Sequence, residues 1–208
     1  MKSIILANSS NQLGKILNKL KPEEVEIVVL STRIDPIMLD RRYSRHNYSH
    51  LIPPLPILHN FLEYGYDDLY VDRYSAYLKT PMNYLFLNQI IYNLSHRNVN
   101  MVLVCEKEES EFQYLELLAK AIKNVYQVKC VTYKDWKKGK TSKSVNDRET
   151  LCTISEKVYE VFKNKVIDSG YEIPIMMNEL LPKKRVKELP KKLKKLYIRH
   201  IEDIQSRQ

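Results

Sequence analysis

Three short segments of the chain are apolar almost without interruption: Ser3-Ile4-Ile5-Leu6-Ala7, Val25-Glu26-Ile27-Val28-Val29-Leu30 and Met101-Val102-Leu103-Val104-Cys105. A strand with one wet face alternates apolar and polar residues, whereas a strand covered on both faces reads as a continuous apolar run. Between the first two runs lies polar Asn8-Ser9-Ser10-Asn11, in which Ser10 or Asn11 can cap a helix carrying Leu13, Ile16, Leu17 and Leu20. Lys21-Pro22 ends that helix. Strand, helix and strand in this order make a right-handed βαβ unit the economical solution.

Further along, the spacing predicts a helix over 81–97, with Leu85, Ile90, Ile91 and Leu94 apolar. A second helix follows over 111–123, with Phe112, Leu115, Leu118, Ala119 and Ile122 inward, and a last strand over 125–133. Residues 31–56 hold Pro36, Pro53, Pro54 and Pro56 and read as irregular, and 57–80 mix aromatics with acids at no clean period. The expected architecture is an α/β domain over 1–136, a three-layer, mostly parallel sheet. A polar linker over 137–146 and a basic helical region over 147–208, punctuated by Pro174, Pro182 and Pro190, complete the chain. At 208 residues with 44% hydrophobic side chains there is enough material for a real core, and four glycines with 28% charged residues argue against disorder. No run approaches the ~20 apolar residues of a membrane span. The apolar stretch at the N-terminus is too short for a secretory signal. Three cysteines without C-x-x-C spacing fit a reducing, cytoplasmic setting. No membrane association and no cofactor are expected.

The net charge of +9 is unevenly placed. Residues 1–136 hold 16 Lys/Arg against 15 Asp/Glu, and residues 137–208 hold 18 against 10. Within 183–199 stand Lys183, Lys184, Arg185, Lys187, Lys191, Lys192, Lys194, Lys195 and Arg199 with a single acid, Glu188. From Pro190 the apolar Leu193, Leu196, Tyr197, Ile201 and Ile204 fall at helical spacing, which predicts an amphipathic helix with Pro at its start. Its lysines then crowd the positive end of the helix dipole, an arrangement that costs helix stability and suits a phosphate or carboxylate partner.

Other candidate chemistry sits where the strands end. In open parallel sheets ligands bind at the carboxyl ends of the strands, where Asn8-Ser9-Ser10, Ser31-Thr32-Arg33 with Asp35, and Cys105-Glu106 would lie. Arg33 can hold an anion there, and Cys105 can act as a nucleophile only if its thiolate is stabilised. The commoner role for a cysteine at this position is that of a small buried hydrophobe. A second candidate is the loop in which Arg41, Arg42 and Arg45 interleave with Tyr43 and Tyr48, a pattern able to pair phosphates and stack on bases. The competing reading packs those tyrosines on the sheet and pairs the arginines with Asp35, Asp40, Asp67 or Asp68. His46 and His50 share i,i+4 spacing, but no H-E-x-x-H or Walker-type pattern is present and no metal site is expected.

Residues 1–133 resemble a bacterial α/β family known as domain of unknown function 488. Arg33 and Pro36 match its R-x-x-P spacing, and Cys105 matches the first cysteine of its later motif. Ser31 stands where that family has Asp, Lys107 where it has Glu, and Gln113, Tyr114 and Leu115 where it has Cys-His-Arg. The resemblance implies the α/β fold and, as an alternative function, an enzyme acting on a small anionic substrate through Arg33 and Cys105. The loss of the Cys-His-Arg triplet weighs against that alternative. Short polar loops rich in Tyr, Asn and Lys also resemble proteins of AT-rich bacteriophages, some of which bind host polymerase or sigma factor. The leading expectation is a non-enzymatic binding protein directed at nucleic acid or at the transcription or replication machinery. Its partner is a polyanion or an acidic protein surface such as RNA polymerase or a sigma factor.

Overall fold

The computed structural model describes residues 2–35 and 39–168. It is an α/β fold whose sheet is five-stranded and all parallel. The strands are β1 (Ile4–Ala7), β2 (Val25–Val29), β3 (Ser44–Asn47), β4 (Asn100–Val104) and β6 (Val131–Thr132), arranged β3-β2-β4-β1-β6. The two longest strands of the sheet, β2 and β4, pair over five residues from Val25–Asn100 to Val29–Val104. Successive side chains point to opposite faces. Ile4, Leu6, Val28, Leu30, Met101 and Leu103 therefore face one helical layer, and Ile5, Ala7, Ile27, Val29, Val102 and Val104 face the other.

The thin layer is α1 (Ser10–Leu17), which buries Leu13 and Ile16, with Tyr133 and Trp136 of α6 (Tyr133–Lys137) packed beside it. The helix is capped by Ser9, whose hydroxyl accepts from the Gln12 amide. The thick layer holds α2 (Leu55–Tyr64), α3 (Asp68–Leu78), α4 (Pro81–Tyr92), α5 (Tyr114–Tyr126) and α7 (Arg148–Asp168). Helices α2 and α3 occupy the stretch without a clean apolar period; α2 buries Pro56 and Asn60 beside its aliphatic residues, and the inward residues of α3 include tyrosines. Tyr70 and Tyr74 are fully buried one helical turn apart, and their hydroxyls donate to the Phe112 carbonyl at 2.7 Å and the Leu51 carbonyl at 2.5 Å. A buried ring with a satisfied hydroxyl packs like any large hydrophobe. Gly65, at φ 79°, closes α2.

Several boundaries differ from the sequence expectation. The predicted 81–97 helix changes at Asn93 into a π-helical turn, Asn93–Arg97, and ends where Asn98 takes a left-handed conformation. The 111–123 helix starts at Tyr114, because Glu109–Phe112 winds as a 3-10 turn and Gln113 has φ 52°. The predicted 125–133 strand is split. Helix α5 runs on to Tyr126, and β5 (Val128–Lys129) leaves the main sheet to pair antiparallel with β7 (Lys143–Ser144), while β6 stays in it.

The polar run 137–146 is tied to the sheet rather than standing apart. The Ile4 amide donates to the Ser142 hydroxyl at 2.9 Å, and the Ser142 amide donates to the Ser3 hydroxyl at 3.0 Å. Beyond it, Leu151 of α7 is fully buried in the same core cluster as the sheet residues. The Asn88 amide of α4 donates to the Ser155 carbonyl at 2.8 Å, and Tyr84 stacks on Phe162 with ring centroids 4.5 Å apart. The Arg148 guanidinium caps the π-helical turn by donating to the Ser95 and His96 carbonyls.

Candidate functional site

The connection after β1 leaves toward α1 and the connection after β4 leaves toward α5, on opposite faces, although the two strands are neighbours. That divergence opens the crevice in which α/β sheets hold ligands. Around it the chain places Asn8 and Ser9, the Ser31-Thr32-Arg33 turn, and Cys105 with the segment behind it. The sequence thus locates Arg33 and Cys105 in the right region, and the structure shows what they contact there.

The donors expected for an external anion are used by the protein's own carboxylate. Glu109, only 5% exposed, takes the Thr32 amide at 2.9 Å and the Thr32 hydroxyl at 3.0 Å on Oε1, and the Glu106 amide at 3.0 Å on Oε2. The Ser31 hydroxyl oxygen accepts from the Arg33 and Ile34 amides, which folds the turn after β2. Arg33, its side chain 12% exposed, pairs with Glu108 at 2.7 Å. The internal ion pair and the carboxylate on backbone donors fix the two loops to each other, from 77 residues apart in the chain.

Cys105 is fully buried. Burial pushes its thiol well above the ordinary range, and the Glu109 and Glu116 carboxylates push it further in the same direction. A thiolate is the reactive form of cysteine, so this environment holds Cys105 in its unreactive state. Tyr114, also buried, donates its hydroxyl to the Leu30 carbonyl at 2.5 Å and closes the crevice from the α5 side.

The arginine- and tyrosine-bearing loop is built inward. Tyr43 and Tyr48 are 8% and 7% exposed, so neither ring is a free stacking platform. The Tyr43 hydroxyl donates to the Leu17 carbonyl at 3.0 Å. Arg42 grips Asp40 through Nε and a terminal nitrogen at 2.6 Å, which holds the Asp40 carboxyl down at about 2. Arg45 donates to the Leu39 carbonyl, and Arg41 is exposed. His46 lies in β3 and His50 in the 3-10 turn Ser49–Leu51, so they are not presented on one helix.

Sequence reasoning assigned no role to Glu26, the one acid inside an apolar strand. It is 1% exposed and faces the thick layer. Its Oε2 accepts from Asn93 Nδ2 at 2.7 Å and meets His46 Nε2 at 3.0 Å, while the Arg97 guanidinium sits on Oε1. One carboxylate thereby joins β2, the edge strand β3 and the π-helical turn. The lone charge among β-branched residues was a visible signal, since a buried carboxylate requires partners.

The expected polyanion contacts, Lys183, Lys184, Arg185, Lys187, Lys191, Lys192, Lys194, Lys195 and Arg199, lie outside the described residues. Among the described residues no helix is long and apolar enough to cross a membrane. No family model, curated protein or solved structure matches the chain.

Proposed function

We propose that the protein is a non-enzymatic binding protein, in which the α/β fold is a rigid scaffold and residues 183–199 contact nucleic acid. The observation that carries this reading is the charge in that segment, nine basic residues against one acid, in a chain whose first 136 residues are nearly neutral. A dense basic segment neutralises phosphates and releases counterions, the main source of sequence-independent affinity for nucleic acid. The crevice supports a binding rather than a catalytic role. Its thiol is buried and held protonated, and its arginine is paired with Glu108. An acidic face of the transcription machinery, such as a polymerase or sigma-factor surface, is the second partner that the same charges suit.

The test is recovery of bound material by the tagged full chain from host lysate, with and without nuclease. Loss of all specific partners after nuclease supports direct nucleic-acid binding. Retention of a stoichiometric protein partner after nuclease would replace nucleic acid with that protein as the immediate target.

A further inference from the structure

The corner between α2 and α3 inverts the charge of the chain as a whole. No Lys or Arg stands between Arg45 and Arg73, a stretch that holds Glu63, Asp67, Asp68 and Asp72 in a chain of net charge +9. The same corner leaves apolar surface in water. Tyr64 is 60%, Tyr66 47% and Leu69 42% exposed, three of the seven exposed large hydrophobics among the described residues. Apolar surface gathered in one place and rimmed by charge is the form an interaction site takes.

The local structure holds this surface in place. Helix α2 stops at Gly65, and Asp67 caps α3 by accepting from the Tyr70 amide at 2.8 Å. The Tyr66 ring lies edge-on to buried Tyr70, with centroids 6.1 Å apart. On α3, Asp72 follows Asp68 by four residues and Leu69 by three, so all three share the outer face. Helix α3 packs against α5, whose exposed Glu116 adds to the charge. Burial raises the Tyr70 hydroxyl, and Tyr66 and Glu116 raise it further, so Glu116 acts at this corner. Arg73, at its edge, donates to Asn60 Oδ1 at 3.4 Å.

We propose that this corner docks the chain's own segment 190–204. That segment lies outside the described residues, and its sequence sets Leu193, Leu196, Tyr197, Ile201 and Ile204 at helical spacing beside Lys191, Lys192, Lys194 and Lys195. The apolar stripe complements Tyr64, Tyr66 and Leu69, and the lysines complement Asp68, Asp72 and Glu116. An amphipathic helix laid on an apolar face is recognised through anchors at this spacing. Residues 169–189 can span up to ~70 Å when extended, more than enough for a fold of this size, with a radius of gyration of about 15 Å. In the docked state the lysines are withheld from phosphates. This consequence, unlike the docking itself, rests on nucleic-acid binding by residues 183–199.

Carbodiimide coupling of the full chain, mapped by mass spectrometry, tests the docking without nucleic acid, because the reagent joins a lysine to a carboxylate in direct contact with it. Lys191, Lys192, Lys194 or Lys195 should join to the carboxylates of residues 63–72 or to Glu116. A mixture of isotopically light and heavy chains should give these links within one chain. Tyr64→Ser/Leu69→Ser, at two exposed positions, should lose them with unchanged circular dichroism. Links from these lysines chiefly to Glu156 and Glu160 of α7, links joining light to heavy chains, or links that survive the double substitution would overturn the proposal. The masking is read separately, by anisotropy titration of labelled duplex DNA. With roughly nine docked chains to one free, the double variant should bind about tenfold more tightly. Equal DNA affinity of the two chains would overturn the masking. The expected links in a chain with no affinity for DNA would uphold the docking and remove the nucleic-acid reading instead.

Discussion

The scaffold and the C-terminal third use charge in opposite ways. In residues 1–136, 16 basic and 15 acidic side chains nearly cancel, and the buried acids are met inside the fold. Glu109 is held by backbone amides and a hydroxyl, and Glu26 by Arg97, His46 and Asn93. In residues 137–208 the count is 18 against 10, and the whole of that net surplus falls within 183–199. Charges answered within a fold give little field outside it, whereas a segment of one sign projects its field toward a partner. The contrast teaches that the crevice at the strand ends, where an α/β sheet would hold a ligand, has been closed by the protein's own carboxylate.

The largest expected effect comes from cutting the chain between the two regions. A chain of residues 1–136 lacks Ser142, which binds the start of β1, and Leu151, which is buried in the shared core. It should be molten or insoluble, while residues 1–168 should unfold in one cooperative transition followed by circular dichroism. Cooperative unfolding of 1–136 with native-like stability would place the boundary at Lys137 and make the two regions independent.

Next in size is Glu26→Ala. Removing the carboxylate leaves the buried Asn93 amide without its acceptor, while Arg97 and His46, 53% and 29% exposed, can turn to water, so the loss is ~2–3 kcal/mol, below that of a fully buried pair. Denaturant unfolding should show a loss in that range. Glu109→Ala is expected to cost less, ~1–3 kcal/mol, since it leaves the Thr32 and Glu106 amides without their acceptor. Equal losses for the two would erase the distinction between a carboxylate held chiefly by a guanidinium and one held by backbone amides.

The smallest effect at neutral pH, growing as pH rises, concerns the buried hydroxyls and thiols. Burial raises Tyr48 to about 12 and Cys130 to about 12, and raises Tyr70, Tyr74, Tyr114, Tyr126 and Cys105 as well. Groups that ionise more easily when unfolded contribute their stability fully below their unfolded pKa, and that contribution is lost as pH rises toward the folded value. Tm should therefore fall from about pH 9 upward, the ordinary thiol and phenol range. Tyrosinate absorbance of the buried rings should appear with unfolding rather than before it.

Much of the fold was legible because burial on both faces of a sheet leaves a plain trace. β1, β2, β4 and α1 stand close to where their apolar residues put them. The trace failed at β3, Ser44-Arg45-His46-Asn47, a polar strand with a single sheet neighbour and no apolar residue to mark it. It failed at α3, whose inward residues include tyrosines that read as ambiguous until their hydroxyl partners are known. In the crevice, the positions of Arg33 and Cys105 followed from strand ends, but their chemistry did not. Glu108 and Glu109, from the segment just after Cys105, reach Arg33 and Thr32 on the distant turn after β2, and such partners leave no mark in local spacing. Glu26 was the opposite case, conspicuous in the sequence and given meaning only by Arg97 and Asn93 of the π-helical turn and His46 of β3.

The central claim is that residues 183–199 supply the affinity for nucleic acid. Anisotropy titration of labelled duplex DNA over a range of salt concentrations tests it most directly, comparing the full chain with Lys191→Gln/Lys192→Gln/Lys194→Gln/Lys195→Gln. Log affinity should fall linearly with log salt, with a slope of about −0.9 per phosphate neutralised. The four-Gln variant should bind more weakly with a shallower slope. It should also be at least as stable, because Gln matches Lys in helix propensity and the positive end of the expected helix loses its repulsion. Full affinity and an unchanged salt slope in that variant would contradict the account.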